Sequence, residues 1–216
     1  MQNEQDRYKE TIRTWDSLSE LYAEKFRDVE LYNHTYEKLV SYVRNSSANI
    51  LEIGCGPGVV SGHLLRLKPG LQILATDVSE SMVNLAQKMY PALNTQVLDI
   101  REIGGLNQSF SAIVAAFVVP YITPIDFETF VCNSYLKLEG NGVLYVSFVP
   151  GDLRKSGFLT GSTGLRTYFH YYPESYVLEV LINSGFDVLE TFHLQYPKSL
   201  NEVELHTVMI AQVNDK

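Results

Sequence analysis

Glu52, Gly54, Cys55, Gly56 and Gly58 lie close together in the run Ile50-Leu51-Glu52-Ile53-Gly54-Cys55-Gly56-Pro57-Gly58. An apolar strand that breaks into alternating glycines brings backbone close to a ligand, because no Cβ intervenes and positive φ is tolerated. A following helix adds unpaired N–H groups for a polar or negative moiety. Carboxylates recur at matching places downstream: Asp77 ends Ile73-Leu74-Ala75-Thr76, and Asp99 follows Val97-Leu98. At the first of these places a carboxylate can accept both hydroxyls of an unphosphorylated ribose. Asp99 can accept from an adenine amino group, with Ile100 and Met82 as apolar walls. The plainer roles are Asp77 as a cap for a helix at Ser79 and Asp99 as a turn residue.

These groups need elements to hold them. Apolar runs at Asn49 to Ile53, Leu71 to Thr76, Thr95 to Leu98, Ala112 to Phe117 and Gly142 to Val149 alternate with helical segments at Val59 to Leu67, Ser79 to Tyr90 and Phe127 to Leu138. Such alternation predicts βαβ units, a parallel sheet and right-handed crossovers. A helix at Glu174 to Ser184 precedes strand-like runs Phe186 to Leu194 and Val203 to Val213, joined by a loop holding Pro197, Lys198 and Asn201. With no room for a crossover helix, the two strands pair antiparallel or sit apart. The expected fold is therefore α/β: a doubly wound, mostly parallel sheet of seven strands, one of them antiparallel near the C-terminal end. Upstream, Tyr8, Ile12, Trp15, Tyr22 and Phe26 form a helical stripe, and a second helix is expected at Tyr36 to Val43. The chain reads as one domain over 1–216: an N-terminal helical lid (1–46), a core (47–149), a substrate-side insertion (150–172), and a final helix with a strand hairpin (173–216).

With these residues in place, the chain resembles the class I, Rossmann-like S-adenosylmethionine-dependent methyltransferases. Leu51 to Gly58 is similar to their first motif, Ala75-Thr76-Asp77-Val78-Ser79 to the second, Val97-Leu98-Asp99-Ile100 to the third, and Ala115-Ala116-Phe117-Val118 to the fourth strand and its turn. The resemblance implies S-adenosylmethionine as cofactor and S-adenosylhomocysteine as product. It implies that Gly54, Gly56 and Gly58 face the methionyl part, Asp77 the ribose, and Asp99 with Ile100 the adenine, while Glu52 organises the loop. Cys55, Val78, Met82, Ala116, Phe117 and Tyr22 complete the expected cofactor set, Cys55 as a small filler. Two departures stand out: Ser111-Ala112 where the family often has Asp, and Pro120-Tyr121 where many members have paired histidines. The second puts Tyr121 near the methyl group.

Methyl transfer requires a nucleophile held in line and water excluded, since the sulfonium already carries the reactivity. Amines and hydroxyls must still lose a proton. His170 is the candidate base, and Tyr121 and Tyr171, with Tyr172 as an alternative, are candidates to orient an acceptor. Against these stands the ordinary reading of Tyr168-Phe169-His170-Tyr171-Tyr172 as core or lid packing. No clustered His, Cys and acid spacing indicates a metal.

A formal net charge of −8 speaks against long nucleic acid, whose phosphates need a basic stripe; Arg154-Lys155 is a thin substitute. No Asn-Pro-Pro-Tyr motif occurs, so a small-molecule acceptor is expected. Two cysteines, Cys55 in a loop and Cys132 in a buried helix, form no disulfide framework. The start lacks a signal-peptide pattern, and Ala112 to Val119 is far shorter than the roughly 20 apolar residues of a membrane span. A cytoplasmic protein is expected, of unspecified oligomeric state. A nicotinamide-dependent oxidoreductase is the rival, but it favours Gly-x-Gly-x-x-Gly and position 59 is Val. A silent module binding the cofactor or its product is the other.

Overall fold

The computed structural model describes residues 4–27, 29–199 and 202–214. Two helices, α1 (Glu4–Phe26) and α2 (Asn33–Tyr42), lead into β1 (Asn49–Ile53), α3 (Val59–Leu67), β2 (Gln72–Asp77), α4 (Glu80–Met89), β3 (Asn94–Val97) and β4 (Phe110–Ala115). There follow α5 (Pro124–Lys137), β5 (Leu138–Phe148), a small hairpin of β6 (Gly157–Thr160) and β7 (Arg166–Phe169), then α6 (Glu174–Asn183), β8 (Phe186–Ser199) and β9 (Glu202–Val213). Seven strands form one sheet in the order β3-β2-β1-β4-β5-β9-β8. β1 to β5 pair in parallel, and β9 runs antiparallel to both neighbours, β5 and β8.

The central strands are apolar on both faces because helices cover both. β1 is buried from Ile50 to Ile53. One face packs Phe110, Phe127, Phe130, Phe148 and Phe186; the other packs Tyr36, Leu39, Leu64 and Tyr145. Each such side chain contributes about 1.5–3 kcal/mol by leaving water. Strand order reverses between β1 and β4, and the Gly54 to Gly58 loop leaves β1 at that switch point, where open α/β sheets bind ligands.

Several expectations change. The fourth strand stops at Ala115 rather than Phe117, because Phe117 turns into the left-handed region at φ 57°. The loop expected around Pro197 and Lys198 is strand: β8 pairs Pro197 with Val203. β8 is an edge strand, so an outward-facing position there needs no N–H. Asn201 lies outside the described residues. The 150–172 segment is not a bare loop but holds the β6–β7 hairpin. Cys132 on α5 is exposed rather than buried. In α1 the buried positions are Thr11, Thr14, Ser19 and Ala23, while the aromatic stripe is only half-buried. Small residues let this helix approach closely, and their hydroxyls bond to the hairpin: Thr14 Oγ1 donates to the Arg166 carbonyl at 2.7 Å, and Tyr168 N donates to Thr11 Oγ1 at 3.0 Å. Among the described residues no helix is long and apolar enough to cross a membrane.

Candidate active site

Gly54, Gly56 and Gly58 take φ of 67°, 52° and 82°. At Gly54 the requirement is double, since an added Cβ would sit 2.9 Å from Val118 Cβ in the turn after β4. At Gly56 the position of a Cβ lies 3.6 Å from Cε1 of Tyr22, so the α1 ring rests on the loop. Cys55 N donates to the Thr76 carbonyl at 2.8 Å, tying the loop to β2. Burial, with Glu52 and Asp77 nearby, holds the Cys55 thiol well above its ordinary value, so it stays protonated and fills space.

Asp77 is wedged between loop and helix. Its Oδ2 accepts from Gly56 N and its Oδ1 from Ser79 N, both at 2.9 Å. Burial raises its pKa against the lowering pull of those N–H bonds. The helix cap expected of Asp77 falls to Ser79, whose hydroxyl accepts from Met82 N; Asp77 instead ties the Ser79 turn to the loop, and each of its oxygens keeps further acceptor capacity. Glu52 lies beneath, 1% exposed, with Ser61 Oγ donating to its Oε2. Among the described residues its Oε1 has no hydrogen-bond partner. Burial pushes this carboxyl up to about 8, with the Ser61 bonds pulling the other way.

At the third strand end Asp99 is committed to Arg101. Its Oδ1 accepts from Arg101 N and Nε at 2.9 Å, and Oδ2 accepts from Nη2 at 2.5 Å. Burial acts to raise its pKa, but the Arg101 bonds prevail and hold it below the usual value. Arg101 in turn lies over the Tyr8 ring at 4.3 Å. Met82 and Ile100 are buried, and Val78 is half-buried.

After β4, Ala116 and Phe117 are half-buried, and Phe117 N donates to Ser147 Oγ of β5 at 2.8 Å. A left-handed Phe costs of order 1–3 kcal/mol, which the surrounding packing must offset. Tyr121 closes an aromatic chain: ring centroids of Tyr22 and Trp15 are 5.5 Å apart, Trp15 and Tyr121 5.2 Å, and Tyr121 and Phe169 5.7 Å. Three segments distant in sequence thereby meet over the glycine loop. Tyr171 stands one ring further out, against Phe169, and Tyr172 is a core residue, 0% exposed, with its hydroxyl bonded to the Ile122 carbonyl.

His170 lines a cavity of about 10 Å³, room for a single water, with Arg7, Tyr8, Tyr121 and Thr123. Burial, then Arg7, presses its pKa down to about 4. A base so far below neutrality matches its task poorly. Sequence reasoning missed four residues. Asp16 of α1 accepts from Ser79 Oγ; Tyr32 between α1 and α2 bonds to His206 of β9; and Glu204 bonds to the same imidazole. The only local signal was the two-residue spacing of Glu204 and His206, which puts both on one strand face. Among the described residues no group of three or more His, Cys, Asp or Glu could hold a metal ion.

A doubly wound sheet with one reversed strand near its end, a glycine turn at the switch point and carboxylates on successive strand ends together define a Rossmann-like domain of the methyl-donor type. Comparison with known proteins agrees. Residues 50–142 match the family described as "Methyltransferase domain". A malonyl-[acyl-carrier protein] O-methyltransferase of Bacillus anthracis is 31% identical over 108 residues, 49% of this chain and 39% of that protein. The chain therefore spans well under half of that relative's length. An N-demethylindolmycin N-methyltransferase of Streptomyces griseus is 23% identical over 68% of this chain and 73% of its own. In fold, the Burkholderia thailandensis 1,6-didemethyltoxoflavin-N1-methyltransferase, solved with its substrate and S-adenosylhomocysteine, superposes with a TM-score of 0.74 at 16% identity, over 100% of this chain and 92% of that one. Over residues 50–142 the chain matches that methyltransferase-domain family, and its fold is that of the Rossmann-like S-adenosylmethionine-dependent methyltransferases. S-adenosylmethionine is the cofactor of this class. Two features fit that group: the loop backbone stripped of Cβ at Gly54, and the buried Glu52 Oε1 that lacks a donor.

Proposed function

We propose that this protein transfers a methyl group from S-adenosylmethionine to a small-molecule N, O or S acceptor. The observation that carries the reading is the left-handed glycine cradle braced by Asp77, with Tyr22 resting on it. In this reading the glycine loop holds the methionyl part, Asp77 the ribose, and Asp99 with Ile100, Met82 and Val78 the adenine side. Ala116 and Phe117 border the cofactor from β4. When bound, the cofactor supplies an electrophilic methyl group on a sulfonium. The chain's residues then bind, orient and keep water away, the last through the Tyr22, Trp15, Tyr121 and Phe169 rings. The named relatives act on an acyl-carrier-bound malonyl group, on N-demethylindolmycin and on 1,6-didemethyltoxoflavin, which supports a small acceptor. A cytoplasmic setting and no nucleic-acid partner belong to the same proposal.

Calorimetry with S-adenosylmethionine, S-adenosylhomocysteine and NADH, followed by a methyl-transfer screen of small amines, phenols, carboxylates and thiols, tests it. Binding of both sulfur compounds and methylation of a panel compound are expected. Tight NADH binding without S-adenosylmethionine binding sinks the reading, and firm binding with no turnover on any panel compound transfers support to a silent cofactor-binding module.

A further inference from the structure

His206 is 6% exposed and both its ring nitrogens are engaged. Nδ1 is 2.7 Å from the Tyr32 hydroxyl, and Nε2 is 3.1 Å from Glu204 Oε2. The roles follow from the chemistry. An ionised carboxylate only accepts, so Nε2 carries the proton; in the neutral imidazole Nδ1 is then the acceptor, and Tyr32 donates to it. His206 and Lys198 both hold Glu204 down to about 2, so it is a carboxylate at neutral pH.

The location matters as much as the bonds. β9 runs antiparallel, and Thr207 pairs with Phe148, the last residue of β5, so His206 stands just past the carboxyl end of β5 while still paired with Leu194 of β8. The Phe117 ring, held left-handed after β4, lies 5.0 Å from the Tyr32 ring and 4.8 Å from His206. Tyr196 of β8 stacks flat on His206 at 4.8 Å. The titratable and charged groups facing the imidazole are thus Tyr32, Tyr196 and Glu204, with Lys198 behind Glu204 at 2.9 Å.

We propose that Tyr32, His206 and Glu204 form a proton relay for the methyl acceptor, with Tyr32 receiving the acceptor's proton and His206 its terminus. The inference rests on the methyl-transfer reading. The acceptor's N–H, O–H or S–H bond breaks and its proton passes to the Tyr32 oxygen, while the Tyr32 proton passes to His206 Nδ1. The freed electron pair forms the new bond to the methyl carbon, and the pair of the broken methyl–sulfur bond stays on sulfur. The imidazolium is balanced by Glu204 and loses its extra proton to solvent between turnovers. Tyr32 is the catalytic member; His206 and Glu204 act through it.

The test uses the full chain. Nitrogen-15 NMR of the His206 ring, identified by its loss in His206→Gln, reads the tautomer: the Nε2–H form is expected at neutral pH, shifting toward Nδ1–H in Glu204→Gln. An Nδ1–H tautomer in the wild type overturns the relay. Calorimetry with S-adenosylhomocysteine is expected to give unchanged affinity in Tyr32→Phe and His206→Gln. If the wild type itself does not bind it, the methyl-transfer reading has failed, which the tautomer does not report. Loss of binding in the variants alone marks the cluster as structural and overturns the relay. On a compound that the wild type methylates, Tyr32→Phe is expected to slow turnover by about 100-fold or more, the scale of positioned acid–base catalysis. His206→Gln should lower kcat with little change in KM for the acceptor. Undiminished turnover in Tyr32→Phe also overturns it.

Discussion

The Asp16 carboxylate of α1 receives the Ser79 hydroxyl at 2.5 Å, joining the N-terminal helix to the cap of α4. Ser79 Oγ meanwhile accepts from Met82 N at 3.2 Å, so one hydroxyl caps a helix and latches another. Asp16→Ala is expected to lower stability by about 1 kcal/mol, the usual worth of a capping interaction. Urea unfolding checks this, and the emission of Trp15, the sole tryptophan, should move to the red as α1 loosens. Unaltered emission and unaltered stability would show that the latch carries no weight.

Gly54→Ala combines a left-handed residue with a Cβ 2.9 Å from Val118. Strain of the first kind alone costs about 1–2 kcal/mol, and the clash adds to it. The variant should be clearly destabilised and bind S-adenosylhomocysteine poorly. Gly105→Ala, where nothing lies within 4 Å of the added carbon, is the control and should change affinity little.

Glu52 makes stability depend on pH in a definite direction. Its pKa rises from 4.5 to about 8 on folding, so the folded state holds the proton that the unfolded chain gives up. The stabilisation is fully present below about 4.5 and is lost as pH climbs through about 8. Urea midpoints for the wild type should fall between those limits, and Glu52→Gln should flatten that part of the curve. A wild-type curve rising over the same interval contradicts the assignment.

Asp77→Ala should weaken S-adenosylmethionine binding by about 1–3 kcal/mol, the cost of an unmade hydrogen-bonded contact. Because Asp77 also receives Gly56 N, part of the loss comes from a slackened loop. Calorimetry of Asp77→Asn is expected to fall between, since the amide keeps one acceptor oxygen and sets its NH2 against the other backbone N–H. Full affinity in Asp77→Ala removes the ribose assignment.

The cysteines should differ sharply in reactivity. Cys132 is exposed and Cys55 is buried with its thiol pKa raised. An aromatic disulfide reagent should titrate Cys132 at once and Cys55 only on unfolding.

Much of this was readable from local pattern. β1 and β2 are short apolar runs closed by a glycine and a carboxylate, and two-face burial leaves that signature in any parallel sheet. α3 begins at Val59 as expected, because Gly58 breaks the preceding turn. Where local pattern misled, long-range packing decided. Pro197 suggests a loop until its strand is seen to lie at the sheet edge. The aromatic stripe of α1 suggests the buried face, yet threonines and Ala23 take it, because their neighbours are backbone and a closely approaching hairpin. Tyr32 and His206 are separated by 174 positions, and nothing in either neighbourhood announces the other.

The attachments of α1 are spread along a rod of about 35 Å, from the rise of a helix. Tyr8 bonds to Asp126 at the start of α5, Thr14 to the hairpin and Asp16 to α4. A stiff member pinned at several points cannot free one end while the other stays seated. Departure of the spent donor and of the methylated product would then share a single opening event.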